Sequence, residues 1–396
     1  MRILQIVPSI SLIYGGPSQM VLGLAPALAR KGVEVTVLTT DSNGDIAQKP
    51  LDVPLIQPVS QDGYEIRYFH CAPFRRYKFS LSLLKWLNDN AHEFDIAHIH
   101  ALFSPVTSLA ANIARKQKLP YILRPLGTLD PADLQKKRQL KQLYAAILER
   151  PNLAGAAAIH FTSHQEAKVS ERFGTSPPDL VIPLGVIPKS NLVEKQVVSQ
   201  QVRSQFNIPE EVPIVLFMSR IDPKKGLDLL IPALEKLLAG GKDFHFVLAG
   251  TNPQDPNYEN QIRNQIQASS LRSHTTITGF VTGELKSTLL QAADLFVLPS
   301  YYENFGIAVA EAMVVGTPVL ISDQVHICGE ISQSESGWVC ATNVESLLAS
   351  LVLALQSGSE RQRRGLNGQK YALLHYSWEA IAQTTILAYQ QILAKS

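Results

Sequence analysis

Two hydrophobic periods take turns along this chain. Short, nearly unbroken apolar runs of strand length fall at 3–7, 33–39, 64–69, 96–100, 121–123 and 157–162. Between them lie stretches whose apolar residues recur every three or four positions, the spacing of one helix face. In the first of these, 18–30, Met20, Val21, Leu24 and Leu28 form the stripe, and Gly32 follows where a helix stop tolerates a left-handed residue. Further helical patterns occupy 81–90, 105–116 and 131–149. Strands that read as continuous apolar runs, separated by helices, predict a parallel sheet covered on both faces.

From 187 to 213 the pattern lapses into a polar stretch rich in Gln, Ser and Val, which reads as an interdomain linker. A second series of the same kind follows. It has strands at 214–218, 244–249, 275–278, 295–298 and 318–321, with helices at 226–238, 259–269, 284–292 and 307–315. Helical stretches at 344–356, 361–375 and 378–394 close the chain. The expectation is α/β, with two Rossmann-like doubly wound domains facing across a cleft. The first domain spans 1–190 and the second 191–377, with the final helix, 378–396, returning to pack on the first. Ligands of such sheets bind beyond the carboxyl ends of the strands.

Composition narrows the function classes. Of 396 residues, 45% are hydrophobic and 18% charged, which excludes disorder as the main state. A net charge of +2 excludes a whole-chain nucleic-acid binder, because tracking phosphates needs a basic surplus. The charge is not evenly spread: residues 1–190 carry 21 Lys and Arg against 15 acids, and the remainder 15 against 19. Three scattered cysteines, Cys71, Cys328 and Cys340, form no zinc spacing and fit a reducing compartment. The apolar start is too short for a signal peptide, and no apolar run reaches 18 residues. The expected location is cytoplasmic, with peripheral attachment at the inner membrane surface left open.

Three loops carry candidate chemistry, each after a predicted strand. Arg220 and Lys225 lie between a strand and a helix start, where two cations suit a phosphate or diphosphate. Glu303 and Glu311 are eight residues apart. On one helix that spacing is roughly 80° off alignment. They would not share a face there, so the spacing makes sense if Glu303 sits in a loop and Glu311 on the helix after it. The amides of Asn304, Phe305 and Gly306 between them are available as donors. Gly15 and Gly16 follow the first strand and allow a phosphate to approach bare backbone, although the G-x-G-x-x-G dinucleotide fingerprint is absent.

Arg220-x4-Lys225, Glu303-x7-Glu311 and Gly15-Gly16 together resemble retaining glycosyltransferases of family 4, which have the GT-B fold. Supporting pieces occur in the expected order: Asp95-Ile-Ala-His-Ile-His100, Thr162-Ser163 with Glu166, Val181-Ile-Pro-Leu-Gly185, Leu248-Ala-Gly250, Gly279-Phe280, Ala293-Asp294 and Gly316-Thr-Pro-Val319. The resemblance implies an acceptor held mostly by the first domain and a nucleotide-diphosphate sugar held by the second. It implies that Arg220 and Lys225 neutralise the diphosphate in place of a metal, since no Asp-x-Asp pair occurs. It further implies that Glu311 holds the ribose, that Glu303 and the 304–306 amides hold the transferred sugar, and that Gly15 and Gly16 cover the diphosphate. No cofactor is expected beyond the donor sugar, with UDP favoured over GDP. The expected partners are the nucleotide sugar and a carbohydrate or lipid-linked acceptor, with no nucleic acid.

Two departures from the family pattern stand out. Leu126 occupies the position where many members carry a histidine beside the reacting sugar, and Leu184 stands where Asn commonly precedes Gly185. His100, Arg124 or Asp130 is expected to take over part of the missing role. His100 reads equally as a catalytic group or a satisfied strand-end histidine, and His98 as structural. Basic residues Lys136, Lys137, Arg138 and Lys141 among Leu134, Leu140, Leu143 and Tyr144, with Arg75, Arg76 and Lys78, suggest a surface for an anionic acceptor or lipid headgroups. A solvated helix face is the alternative. A nucleotide-sugar epimerase of the same architecture and a non-catalytic sugar-nucleotide-binding subunit also remain open.

Overall fold

The computed structural model describes all residues except 15, 45–47, 73–74, 136–137, 188–193 and 396, together with the side chains of 17, 75 and 132. Gly15, Lys136, Lys137 and the side chain of Arg75 therefore lie outside the described residues.

The chain forms two units, one of Met1–Gly185 with Trp378–Ser396 and one of Val186–Ser377. The first unit is built on a sheet of eight strands: β1 (Arg2–Ile6), β2 (Glu34–Thr40), β3 (Pro58–Gln61), β4 (Tyr64–Phe69), β5 (Ile96–His100), β6 (Tyr121–Arg124), β7 (Ala158–Phe161) and β8 (Asp179–Val181). Their order is β3-β4-β2-β1-β5-β6-β7-β8, all parallel except β3, which runs antiparallel to β4 at the edge. The order reverses between β1 and β5. One face is covered by the helix Gly16–Arg30 and the last helix, Trp378–Leu393; the other by Leu81–Asn90 and Pro105–Lys116.

The second unit has six parallel strands: β9 (Ile214–Met218), β10 (His245–Ala249), β11 (Thr275–Gly279), β12 (Leu295–Leu298), β13 (Val319–Ser322) and β14 (Gly337–Cys340). Their order is β11-β10-β9-β12-β13-β14, reversing between β9 and β12. The inner strands are buried along their whole length, which is why they read as unbroken apolar runs.

The polar stretch from 187 to 213 is not a bare linker. It contains the helix Lys195–Phe206, which packs on Gly283–Ala292 inside the second unit. Only Val198 and Val202 are buried on it, too thin a stripe to mark a helix by period. Where a single helix is expected over 131–149, the described residues form Pro131–Leu134 and a helix from Arg138 that passes into a π-helical turn, Ala145–Glu149.

Trp378 fastens the returning helix. Its indole lies over Gly23 and Gly185, where an added Cβ would come within 2.2 Å of the ring. A polar chain crosses the same core. The carbonyl of Ile182 accepts from His160 Nε2 at 2.8 Å, so His160 Nδ1 must accept from His98 Nε2 at 3.1 Å. His98 Nδ1 then accepts from Tyr389 Oη at 2.8 Å, and that oxygen accepts from Gln5 Nε2 at 3.0 Å. Gln5 Oε1 accepts from His100 Nε2 at 2.6 Å. Every donor faces an acceptor only while all three imidazoles are neutral. Burial holds them there, first of all, pushing His98 down to about 3 and His100 and His160 well below their usual range, with the Arg124 cation adding to it.

Acid should therefore weaken the first unit. The unfolded chain protonates these histidines near 6.5 and the folded chain does not, so their stabilisation is complete above that pH and is lost as pH falls toward the folded values. Each contributes a slope of about 1.4 kcal/mol per pH unit once the unfolded form is charged. Glu149, whose carboxyl burial raises, opposes this with a single proton. Urea midpoints of a Trp338→Phe variant, in which Trp86 and Trp378 report the first unit, should hold steady from pH 8 to 7 and drop steeply from pH 6 to 5. A midpoint flat to pH 5 would remove the neutral-histidine account.

Candidate functional site

The second unit gathers its candidate residues at the carboxyl ends of β9 and β12, the two strands flanking the point where strand order reverses. Open parallel sheets bind ligands at such points. After β9, Asp222 caps the short turn Pro223–Lys225 by accepting from the Lys224 N–H at 3.0 Å, while the Lys225 N–H donates to the Asp222 carbonyl at 2.8 Å. One tight turn thus carries both Arg220 and Lys225. Arg220 is exposed, with Nη1 3.4 Å from Gln254 Oε1.

After β12 the chain runs through Pro299 to Gly306 into the helix Ile307–Val314. Glu303 sits in this loop and Glu311 on the helix, as expected from their spacing. The two loops meet closely. Gly226 has φ of +71°, and a Cβ there would lie 2.0 Å from the Pro299 carbonyl oxygen. Tyr301 N–H donates to the Lys224 carbonyl at 2.8 Å, and Tyr301 Oη donates to Asp228 at 2.7 Å. This approach brings Lys225 Nζ into an ion pair with Glu303, both side chains largely withdrawn from water. Glu303 is held from its other side as well: its carbonyl accepts from the His326 N–H at 2.9 Å.

Glu311 pairs with Lys286 at 2.6 Å. Sequence reasoning missed Lys286, Asp222 and Asp228. Only Asp222 left a signal, as an Asp-Pro pair opening a turn. Phe305 is 2% exposed and its ring packs on Tyr376 with centroids 5.1 Å apart, so only its backbone can face a ligand. Gly306, at φ +75°, begins the helix.

In the first unit, Gly16 is the first residue of the helix Gly16–Arg30. Asp130 is buried at the start of the turn Pro131–Leu134. His100, expected either as a catalytic group or as a satisfied strand-end histidine, is fully buried, stacked on His98 at 4.6 Å and neutral within the polar chain. Arg124, paired with His100 in register across β5 and β6, is likewise 1% exposed and not an open acceptor contact. Desolvation lowers its guanidinium to about 10, against the supporting charge of Glu166.

Two family models match this chain: "Glycosyl transferase 4-like domain" over residues 15–185 and "Glycosyl transferases group 1" over 198–371. The chain belongs to the GT4-type glycosyltransferases. It is similar to an uncharacterised glycosyltransferase of Methanocaldococcus jannaschii, 24% identical over 96% of this chain and 95% of that one. It is also similar to the phosphatidyl-myo-inositol mannosyltransferase of Mycobacterium leprae, 24% identical over 99% and 97%. Among solved structures, this glycosyltransferase resembles sucrose-phosphate synthase from Thermosynechococcus elongatus, with a TM-score of 0.76, 22% identity and full coverage of both chains. It resembles Anabaena HepE in complex with UDP and glucose with a TM-score of 0.73, 18% identity and coverage of 99% and 100%. The fold is GT-B.

The close approach at Gly226 can be separated from its backbone conformation. In this glycosyltransferase Gly241 also has positive φ, +74°, with nothing within 4 Å of an added Cβ. Gly241→Ala should cost only the left-handed penalty, about 1 kcal/mol. Gly226→Ala adds a collision with a backbone carbonyl and should cost about 2–4 kcal/mol. Urea unfolding of the two variants compares them directly; equal losses would mean that the Pro299 contact is not what fixes these loops.

Proposed function

We propose that this glycosyltransferase moves a hexosyl unit from a nucleotide-diphosphate sugar, with UDP preferred to GDP, to a carbohydrate or lipid-linked acceptor. Retention of anomeric configuration and a role in polysaccharide or glycoconjugate synthesis belong to the same reading. The observation that carries it is the Arg220–Lys225 turn at the β9/β12 reversal, with Lys225 seated on Glu303. Similar proteins support it: the HepE structure holds UDP and glucose, and the mycobacterial relative is a mannosyltransferase.

In this reading Arg220 and Lys225 receive the diphosphate. Its negative charge grows as the glycosidic bond breaks, so cations fixed beforehand assist the transition state more than the ground state. They fill the place a divalent metal takes elsewhere. Lys225 exchanges part of its contact with Glu303 for a phosphate oxygen, which leaves Glu303 and the 304–306 amides to accept and donate around the transferred sugar. Glu311, steadied by Lys286, takes the ribose hydroxyls. The acceptor hydroxyl attacks from the face the diphosphate leaves, and the leaving phosphate oxygen takes its proton.

The basic stretch of the first unit acquires a sharper form. On the helix Arg138–Tyr144 and the turn after it, Leu140, Leu143 and Ile147 are 63%, 60% and 63% exposed. Their spacing puts them on one stripe, bordered by exposed Arg138 and Arg150. An apolar stripe beside cations fits an anionic bilayer surface.

Two experiments follow. A panel of nucleotide sugars, read by donor hydrolysis and by NMR of the product anomer, should identify one base and sugar and show retention. Against the best donor, Arg220→Ala and Lys225→Ala should each lower kcat by about 2–4 kcal/mol, roughly 30- to 1000-fold. Glu311→Ala should chiefly raise the nucleotide dissociation constant. Near-normal turnover in either cation variant would strike that residue from the mechanism. For the surface, co-sedimentation with vesicles containing 30% anionic lipid should capture the wild type at low salt and lose the Leu140→Glu/Leu143→Glu variant. Equal recovery with neutral vesicles would remove the electrostatic part of the membrane reading.

A further inference from the structure

A doubly wound sheet buries both of its faces under helices. At the amino ends of β2 and β4 the first sheet departs from that rule. Val35, Val37, Tyr64 and Ile66 turn to the core that includes the helix Gly16–Arg30. The alternate positions, Thr36, Glu65 and Arg67, are polar and only half-buried. Thr36 and Ser60 both pair in register with Glu65, so the three form one polar row across β2, β4 and the edge strand β3. The row opens into a cavity of about 370 Å³, bordered by Trp86 of the helix Leu81–Asn90, by Phe94, and by Arg2 and Glu34 where β1 and β2 begin. This is the end of the sheet opposite the carboxyl ends of β1 and β5.

Its charged groups are held beside the rings. Arg67 Nε donates to Glu65 Oε1 at 2.7 Å and its Nη1 to the Ile56 carbonyl at 3.2 Å, and the guanidinium stands 5.0 Å from the Trp86 ring centre. Arg2 Nη2 donates to Glu93 Oε2 at 3.1 Å, with its guanidinium 5.4 Å from the Phe94 ring centre. These contacts fix both guanidinium groups, yet Arg67 Nη2 and Arg2 Nη1 make no hydrogen bond among the described residues, nor do Glu65 Oε2 and Glu93 Oε1. Donors and acceptors thus stand side by side. Glu34, Glu65 and Glu93 share the lining with Arg2 and Arg67. A bound anion meets the carboxylates and a bound cation meets the guanidinium groups. A hydroxyl meets neither objection, because it donates to a carboxylate and accepts from a guanidinium N–H.

We infer that this cavity binds an uncharged saccharide, with its hydroxyls between the glutamates and arginines and its C–H face against Trp86 and Phe94. Neighbouring hydroxyls of a sugar ring each donate and accept, which is the pattern the polar row and the two ion pairs present. The volume falls within the range of small-ligand clefts. The inference deepens the transferase reading above: the site takes sugar residues already joined in an acceptor or product chain, apart from the strand ends where ligands of such sheets react. A chain held at a second point stays at high effective concentration between transfers.

The test uses the full-length protein labelled with 5-fluorotryptophan. Its ¹⁹F spectrum carries one line each for Trp86, Trp338 and Trp378, and a Trp86→Phe variant assigns the first. Maltotetraose, cellotetraose, mannotetraose and N-acetylchitotetraose are titrated in turn, with sorbitol and glucose 6-phosphate as controls. At least one tetrasaccharide should move the Trp86 line saturably, with a dissociation constant below about 10 mM, while the Trp338 and Trp378 lines stay in place. The Glu34→Gln/Glu65→Gln variant keeps the shape of the cavity and removes two charged acceptors. It should bind that tetrasaccharide about tenfold more weakly, with UDP affinity unaltered and the other two lines confirming its fold. No movement with any tetrasaccharide, an equal shift with sorbitol, a larger one with glucose 6-phosphate, or undiminished binding in the variant would overturn the inference. UDP binding by the same wild-type preparation reports separately on the transferase reading, so the two can fail independently.

Discussion

Between Gly226 and the carbonyl of Pro299 there is no room for one more carbon. The loops after β9 and β12 come from strands that are neighbours in space but some eighty residues apart in the chain. Their separation is fixed only where one backbone rests on the other. Because residue 226 lacks a side chain and has positive φ, the turn can lie directly against Pro299, and Lys224 can accept the Tyr301 N–H. Lys225 then reaches Glu303. Gly250 makes a similar allowance on the other side of β9, where a Cβ would fall 1.9 Å from the Ser219 carbonyl. The charges of the site are thus held by backbone contact before any charge interaction adds to it. An ion pair alone, partly in water, would contribute too little to set that geometry.

In the first unit a different constraint does the comparable work. The carbonyl of Ile182 decides which nitrogen of His160 bears its proton, and that choice passes through His98, Tyr389 and Gln5 to His100. Tyr389 belongs to the helix that returns after the second unit, so the end of the chain completes a network begun at β1. Losing a link of this network would leave a further unpaired group in a low-dielectric core, which is costly, and His100 Nδ1 at its end already has no hydrogen-bond partner among the described residues. The same helix is seated by the apolar contact of Trp378 on Gly23 and Gly185.

These two constraints explain what was legible in the sequence. The inner strands of both sheets are buried on both faces, so they appear as apolar runs, and the loops after β9 and β12 could be located from them. Residues 303 and 311 could be divided between loop and helix because on one helix they would lie about 80° apart and not share a face. The edge strand β3, Pro-Val-Ser-Gln, is mostly exposed and carries no apolar run. The helix Lys195–Phe206 gains its order from a neighbour distant in sequence. His100 shows the sharper limit. Its place at the end of β5 is readable, but the face it turns to is set by Gln5, itself held by Tyr389, and a linear pattern does not say which neighbours wait there.

The charge pattern argues the same point at the level of sites. A net charge of +2 says nothing about anion binding, because the decisive cations are few and local. In the second unit, which lies in the acidic half of the chain, Arg220 and Lys225 share one turn, and Glu303 neutralises part of their charge while holding Lys225 in place. In the first unit, Arg76 and Lys78 are among the described residues that line an aromatic cavity. The two reversal points therefore differ in kind. One is a balanced set of acids and bases able to exchange partners as charge develops on a bound group. The other is an aromatic pocket lined by residues held at positive φ.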